Sequence, residues 1–438
     1  MNIARSTKTA FFLFFGSFIL FGLTLGSDLN GDAVSANFGA WHLVTVGSPW
    51  IENANFIEGH PLRDIWVVEI DGHEVIARAP GVVLWSLPAY WIAQTQDFTN
   101  VPAGITAAML SAFAVTFVYL AIQSKVANKL AIGVALVFGF GTPVWAVAAD
   151  TMWPHAVTVF GISGMAWAAS KDRWWLVGVF GGFALTGRVH VAIVVAVVGL
   201  GIGVVRKNPS VVAKVGIPSG LFLGLTMVWN NWLYGNWNPT GAYQIDTSTE
   251  MGERYGSLLV NQLGMWVSPD RGIFIWTPVL LLMLPAVIRA WPVIPDWSKW
   301  LATGGLVYTF AQGWANVFDG GDFFWSYRLG LEFVAAVTPA VTFSIPFVGS
   351  IGKRRIPVVA GLQIFFIGVG AVLNIPGVEK AKAWTTNSAM FYLLQDKLVG
   401  SLILIAIIAV IARLAYNARL VERWPVPDEP ARARNATG

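Results

Sequence analysis

The chain alternates long apolar runs with short polar segments, and that alternation is its dominant signal. A bilayer-crossing helix needs about 20 largely apolar residues. Runs that meet or approach this length fall at 9–26, 102–123, 130–149, 153–170, 174–187, 189–206, 213–233, 273–290, 300–317, 329–347, 356–374 and 398–415. The pattern predicts an all-α polytopic membrane protein with about twelve transmembrane helices. The runs 174–187 and 189–206 are short and adjoin at Gly187-Arg188, which predicts a hairpin of tilted helices. The first run is preceded by Arg5 and Lys8 and is expected to stay as an uncleaved anchor.

Lysine and arginine set the orientation. Lys125 and Lys129, Lys171 and Arg173, Arg206 and Lys207, Arg289 and Lys299, and Lys353 to Arg355 all fall on one side if both termini are cytoplasmic. The apolar segment 80–97 would invert the later loops if it crossed, so it is expected to lie along or dip into the outer face. The expected outer loops are 27–101, 234–272, about 375–397 and a shorter 318–328. Residues 1–420 then form one integral membrane domain, and the charged, proline-containing 421–438 is expected to be a disordered cytoplasmic tail. In the first loop, Asp71-Gly72 lies between 65–70 and 73–78, a strong hairpin signal.

Composition agrees. Only 12% of residues are charged and 55% are hydrophobic, too little charge to cover a water-facing surface. The 22 tryptophans suit bilayer interfaces, and with no cysteine there is neither a disulfide nor a thiolate metal site. The net charge of +4 comes from dispersed clusters, which read as topology rather than nucleic-acid binding. Walker A, dinucleotide and HExxH patterns are absent, which disfavours a nucleotide-driven pump or a zinc protease.

Candidate chemistry sits at the outer ends of the runs. Asp28 and Asp32 are spaced i,i+4 just beyond the first run and would share a helix face. They read as a general base or a hydroxyl or metal ligand, or, for Asp32, as a helix cap. Arg78 can clamp a phosphate or lie along the interface. His155 reads first as a structural hydrogen-bonding group, while Arg188, between two apolar runs, needs an anionic partner. Arg271 opens the 273–290 run. Arg328 and Glu332 stand i,i+4 and can simply pair with each other.

In order along the chain, these segments resemble the bacterial GT-C-type glycosyltransferases, which include protein O-mannosyltransferase-like and aminoarabinose-transferase-like enzymes. The resemblance rests on Gly31-Asp32 with Ala40-Trp41-His42-Leu43 and Gly47-Ser48, and on Ala79-Pro80-Gly81 with Leu87-Pro88. It continues through Trp153-Pro154-His155, Leu185-Thr186-Gly187-Arg188, Ser268-Pro269-Asp270-Arg271-Gly272-Ile273-Phe274 with Thr277-Pro278, and Trp325-Ser326-Tyr327-Arg328 with Glu332 and Pro339. Two departures stand out: Ala33 follows Asp32 where a second acid is common, and Tyr327 replaces a common glycine.

The resemblance implies transfer of a sugar from a polyprenyl-phosphate-linked donor to a protein, lipid or glycan acceptor on the outer face of a bacterial plasma membrane. Asp32, with Asp28 as second choice, would be the base. Arg78, Arg188 and Arg328 would bind the donor phosphate, and His155, Arg271 and Glu332 the substrate. No cofactor is required by this reading, and the missing second acid makes a divalent cation the lesser alternative. Two other readings compete: a transporter or flippase of lipid-linked saccharides, and a non-catalytic subunit of envelope assembly. The transporter reading expects mid-bilayer ionisable groups and internal repeats, which the sequence does not display.

Overall fold

The computed structural model describes residues 3–26, 31–52, 66–243 and 258–394, with a few isolated positions between 405 and 413. Asp28, the segment 244–257 and the tail 421–438 lie outside the described residues.

The described residues are mostly helical, with one small hairpin. In order, the elements are α1 (Ile3–Gly22), α2 (Gly31–Thr45), β1 (Val67–Ile70), β2 (His73–Ile76), α3 (Pro80–Ala93), α4 (Val101–Ile122) and α5 (Asn128–Phe140). Then come α6 (Pro154–Ala169), α7 (Trp174–Gly187), α8 (Ala192–Val205), α9 (Pro209–Tyr234) and α10 (Leu258–Val267). The last are α11 (Pro278–Ala290), α12 (Asp296–Ala315), α13 (Leu331–Ser344), α14 (Ser350–Leu373) and α15 (Ser388–Leu394).

Three described helices are individually long and apolar enough to cross a bilayer, at Val101–Ile122, Pro209–Tyr234 and Gly352–Leu373, and shorter apolar helices pack among them. Two expected runs are interrupted. The run 130–149 breaks after Phe140 at Gly141-Thr142-Pro143 and resumes as a single π turn, Val144–Ala148. The run 273–290 breaks at Thr277, because Pro278 has no N–H and its ring disfavours helical backbone before it. The segment expected along the outer face forms α3, 14 residues and so about 21 Å long, short of a hydrocarbon core of about 30 Å.

Large apolar side chains face outward on several helices, among them Phe12 and Ile19 of α1, Val204 of α8, Leu221 and Leu225 of α9 and Ile288 of α11. Such a surface is stable against lipid and not against water. Inside, α13 is buried over most of its length and forms the centre of the bundle. Small residues let backbones approach where the hydrophobic effect gives no drive. A side chain at Gly178 of α7 would meet the Val215 carbonyl of α9, and one at Gly161 of α6 would meet the Phe180 carbonyl of α7 at 2.6 Å.

The hairpin forms where expected. Val67 pairs with Ile76 and Val68 with Val75. Asp71 and Gly72 both take positive φ, 53° and 81°, as a two-residue I′ turn requires. Its purpose in the fold is local: β2 runs straight into Ala77 and Arg78, and so fixes where that arginine sits.

Candidate functional site

Asp32 lies in the first turn of α2, where the helix dipole favours a carboxylate. Two guanidiniums reach it from distant parts of the chain. Arg78 Nη2 donates to Asp32 Oδ1 at 3.0 Å, and Arg328 Nη1 donates to Oδ2 at 2.8 Å. Arg78 and Arg328 are 10% and 14% exposed and Asp32 is 39% exposed, so the carboxylate is the accessible member of the trio. Burial alone would raise the Asp32 pKa. The charges of Arg78 and Arg328 outweigh it, with help from Arg188, and hold the carboxyl well below the usual range.

Each arginine is itself held. Arg78 Nε donates to Ser35 Oγ at 2.8 Å and Nη1 to the Ala77 carbonyl at 2.9 Å. The Tyr234 hydroxyl, at the end of α9, accepts from the Arg78 backbone N–H and donates to the Ile76 carbonyl. Arg328 lies over the rings of Trp153 and Phe324, 4.8 and 5.3 Å from their centroids. Arg188, at the end of α7, donates to the Tyr308 hydroxyl of α12 at 3.3 Å, and Tyr308 also meets His190 Nε2 at 3.2 Å. Gly81 explains the closeness of these parts: a Cβ there would stand 2.6 Å from the Thr186 backbone, so only glycine lets the start of α3 abut the Arg188 turn.

His155 and Glu332 open α6 and α13, side by side. His155 Nδ1 and Glu332 Oε1 are 2.9 Å apart and the Thr158 hydroxyl donates to the same oxygen at 2.8 Å, with both side chains fully buried. His155 Nε2 and Glu332 Oε2 have no hydrogen-bond partner among the described residues. The i,i+4 pairing of Arg328 with Glu332 does not form. Arg328 precedes α13 and turns to Asp32, leaving Glu332 to His155.

Arg271 has a different setting. It is 1% exposed and forms a 3.0 Å ion pair with Asp270. It donates to the carbonyls of Phe324, Ser326 and Val378 at 3.1, 3.0 and 3.0 Å, and its guanidinium lies 4.1 Å from the Phe324 ring centroid. It therefore holds the loop that presents Arg328. Arg78, Arg188 and Arg328 converge near Asp32, and His155 and Glu332 lie next to them; Asp28 is outside the described residues.

Asp150, Tyr234 and Tyr308 are not among the sequence candidates. Asp150 was the most visible, as the lone acid between two apolar runs. Its carboxyl lies against Gly26, where an added Cβ would meet Oδ2, and burial pushes its pKa up to about 8 against the backbone N–H of Gly26. Among the described residues, no three His, Asp or Glu side chains cluster as a metal site.

No family model and no curated protein matches the sequence. Solved structures do match. ArnT from Cupriavidus metallidurans in the apo state superposes with a TM-score of 0.51 at 11% identity, over 96% of this chain and 76% of that one. The chain has a GT-C-like fold. ArnT from the same organism bound to undecaprenyl phosphate gives a TM-score of 0.48 at 13% identity, again over 96% of this chain and 76% of that one. Within the GT-C-like fold, the Asp32–Arg78–Arg328 trio is built by the first loop, the hairpin and the turn before α13.

The ion pairs of Asp32 carry an acid dependence. Its pKa is depressed in the fold, so their stabilisation is full above the ordinary value of 3.8 and is lost as pH falls below it. In detergent, the thermal midpoint of wild type is expected to exceed that of Asp32→Asn at about pH 6, with the gap closing towards about pH 3. A gap unchanged across that range would mean that the two pairs do not form.

Proposed function

We propose that this protein transfers a sugar from a polyprenyl-phosphate-linked donor to an acceptor hydroxyl on the non-cytoplasmic face of the membrane. The observation that carries the reading is the convergence of Arg78, Arg188 and Arg328 on one accessible carboxylate at the end of an apolar bundle. Counting imidazoles as neutral, three guanidiniums stand against the carboxylates of Asp32 and Glu332. That leaves one positive charge unmatched, which suits the single negative charge of a phosphodiester. A lipid-linked donor presents that group at headgroup depth.

In the reaction, the acceptor oxygen attacks the anomeric carbon as its proton passes to Asp32. The bond from that carbon to the phosphate oxygen breaks, and polyprenyl phosphate leaves with the electron pair. Negative charge grows on the phosphate where the guanidiniums already stand. Held by two arginines, Asp32 is a poor base, since effective bases sit nearer the working pH. A bound phosphate draws Arg78 and Arg328 to itself and returns basicity to Asp32, so deprotonation waits for the donor. Arg271 acts through the backbone it holds. The reading needs no metal ion, since guanidiniums supply the positive charge.

The charge distribution supports the proposed side of the membrane. Asn100 bonds to Asn37 of α2 and so marks the start of α4 as the Asp32 end, whereas Lys125 and Lys129 follow the other end of that helix. Arg206 and Lys207 likewise follow α8, and Lys353 to Arg355 lie in the first turns of α14, both away from the site. The positive-inside rule supports the outer side proposed for the Asp32 end. ArnT, whose apo form shares the fold, has been crystallised with undecaprenyl phosphate, and the same lipid class is proposed here.

The test is transfer of label from a panel of polyprenyl-phosphate sugars to membrane extract by the purified protein. Transfer by wild type is expected, with Arg328→Gln reduced by about 10²-fold or more, as for other transition-state charge contacts. Absence of transfer together with no stabilisation by undecaprenyl phosphate would overturn the reading.

A further inference from the structure

Arg188 ends α7 in extended backbone, with φ −149° and ψ 113°, and a short 3-10 turn, Val189–Val191, follows at once. The break brings Arg188 and His190 to one partner. Arg188 Nη1 donates to the Tyr308 hydroxyl at 3.3 Å, and that hydroxyl meets His190 Nε2 at 3.2 Å. The Tyr308 ring also lies flat on the His190 ring, with centroids 5.1 Å and planes 7° apart. A hydroxyl that accepts from a guanidinium still has its own proton to give. His190 Nε2 therefore receives it as the bare nitrogen of a neutral imidazole. The phenol oxygen is fixed by the stack and by a partner on either side.

The packing of α12 brings Tyr308 to this point. Tyr308 is fully buried, and Gln312, also fully buried, follows one turn later on the same face, directed to His190. The other face of α12 shows Leu306, Val307, Phe310 and Trp314 to the outside. A Cβ at Gly305 would meet the Ala336 Cβ of α13 at 2.6 Å, and one at Gly304 would meet the Val194 backbone of α8 at 3.2 Å. This glycine pair seats α12 closely against α8 and α13 one turn before Tyr308. Polar side chains turned into an apolar bundle are costly and mark function.

The chemistry of the contact matters as much as its place. Arg78 and Arg328 are tied to a carboxylate, which offsets their charge. Tyr308 takes one of the five N–H donors of Arg188 and brings no charge of its own. It orders a long side chain before a ligand arrives, which lowers the entropy lost on binding. The attraction of the guanidinium for an anion is left intact.

We propose that Tyr308, backed by His190, is the positioning residue for Arg188, aiming its guanidinium at the phosphate of the donor without neutralising it. The proposal rests on the donor reading above and adds a residue that acts on the phosphate only through Arg188.

The test measures binding of undecaprenyl phosphate to the whole purified chain in detergent by equilibrium titration. It compares wild type, Tyr308→Phe, Arg188→Gln and the double variant. Tyr308→Phe keeps the ring stack and removes only the hydroxyl. It is expected to weaken binding about tenfold, the scale of one hydrogen bond to a charged group, with the thermal midpoint of the unliganded protein unchanged. In the Arg188→Gln background the same substitution should have no effect, because no guanidinium is left to aim. Two results overturn the proposal. One is binding by Tyr308→Phe equal to wild type. The other is an equal loss whether or not Arg188 is present, the mark of a general structural role. Binding by wild type that Arg188→Gln leaves unchanged would remove Arg188 from the phosphate site and overturn the proposal alone. If wild type itself does not bind undecaprenyl phosphate, the donor reading fails and the proposal falls with it.

Discussion

Asp32→Asn is expected to lower sugar transfer by about 10²–10⁴-fold, the range for loss of a positioned base, in a protein that still folds. The substitution keeps the shape of the side chain and one acceptor oxygen. A single guanidinium can still bond to it, and the other is released toward the phosphate. The donor KM should therefore stay level or fall while kcat collapses, the pattern of an interaction lost in the transition state and not in the ground state. A purely scaffolding role would leave kcat per folded molecule close to wild type, because the lower thermal midpoint expected of Asp32→Asn follows from the lost ion pairs under either role. Asp32→Ala is the harsher variant, because it leaves Arg78 and Arg328 facing each other with no carboxylate between them. Equal transfer by wild type and Asp32→Asn would exclude Asp32 as the base and direct attention to Asp28. If neither transfers across the donor panel, the competing readings, transporter or assembly subunit, take precedence.

The parts of this architecture that were legible in the sequence are those decided locally. Asp71-Gly72 specified the hairpin because a two-residue turn with two positive φ values accepts few other dipeptides. Apolar length located α4, α6, α7 and α9 within a few residues. Pro278 and Pro143 were visible, yet the breaks they mark were hidden inside continuous apolar runs, where composition outweighs a single residue.

The site was legible in its membership more than in its pairing. Arg328 and Glu332 have the spacing of a helical ion pair, but the spacing rule assumes that both residues lie in the helix. The backbone at Ser326 has φ 70°, α13 starts only at Leu331, and Arg328 is thereby free to reach a carboxylate 296 residues away. No local rule predicts a partner at that separation. The same holds for Arg271. The resemblance implied a substrate contact for it, and only the fold reveals that three carbonyls surround it.

That setting gives Arg271→Met the largest expected effect on stability. Arg271 and Asp270 are 1% and 0% exposed, and removing one partner of a buried pair typically costs about 3–5 kcal/mol. Burial already pushes the Asp270 pKa up against the pull of Arg271, so the pair forms at a desolvation cost that only its further bonds offset. Asp270 Oδ1 accepts the Ser388 N–H at 2.7 Å, and Arg271 binds carbonyls of both the 323–328 and 376–378 segments. Methionine fills much of the volume but supplies none of these donors, so three carbonyls lose a partner at once. The loop that seats Phe324 then has no anchor, and Arg328, which lies over the Phe324 ring, loses its position beside Asp32. Thermal unfolding should shift strongly downward, and in the fraction that folds, donor KM should rise along with the fall in kcat. The cycle with Asp270→Asn separates the two causes. If the lost charge pair dominates, the double variant should recover part of the stability that Arg271→Met loses, because the buried carboxyl is gone. If the carbonyl bonds dominate, the two losses should add, and Arg271→Lys, with one compact cation and no planar fork, should be nearly as damaging as Arg271→Met.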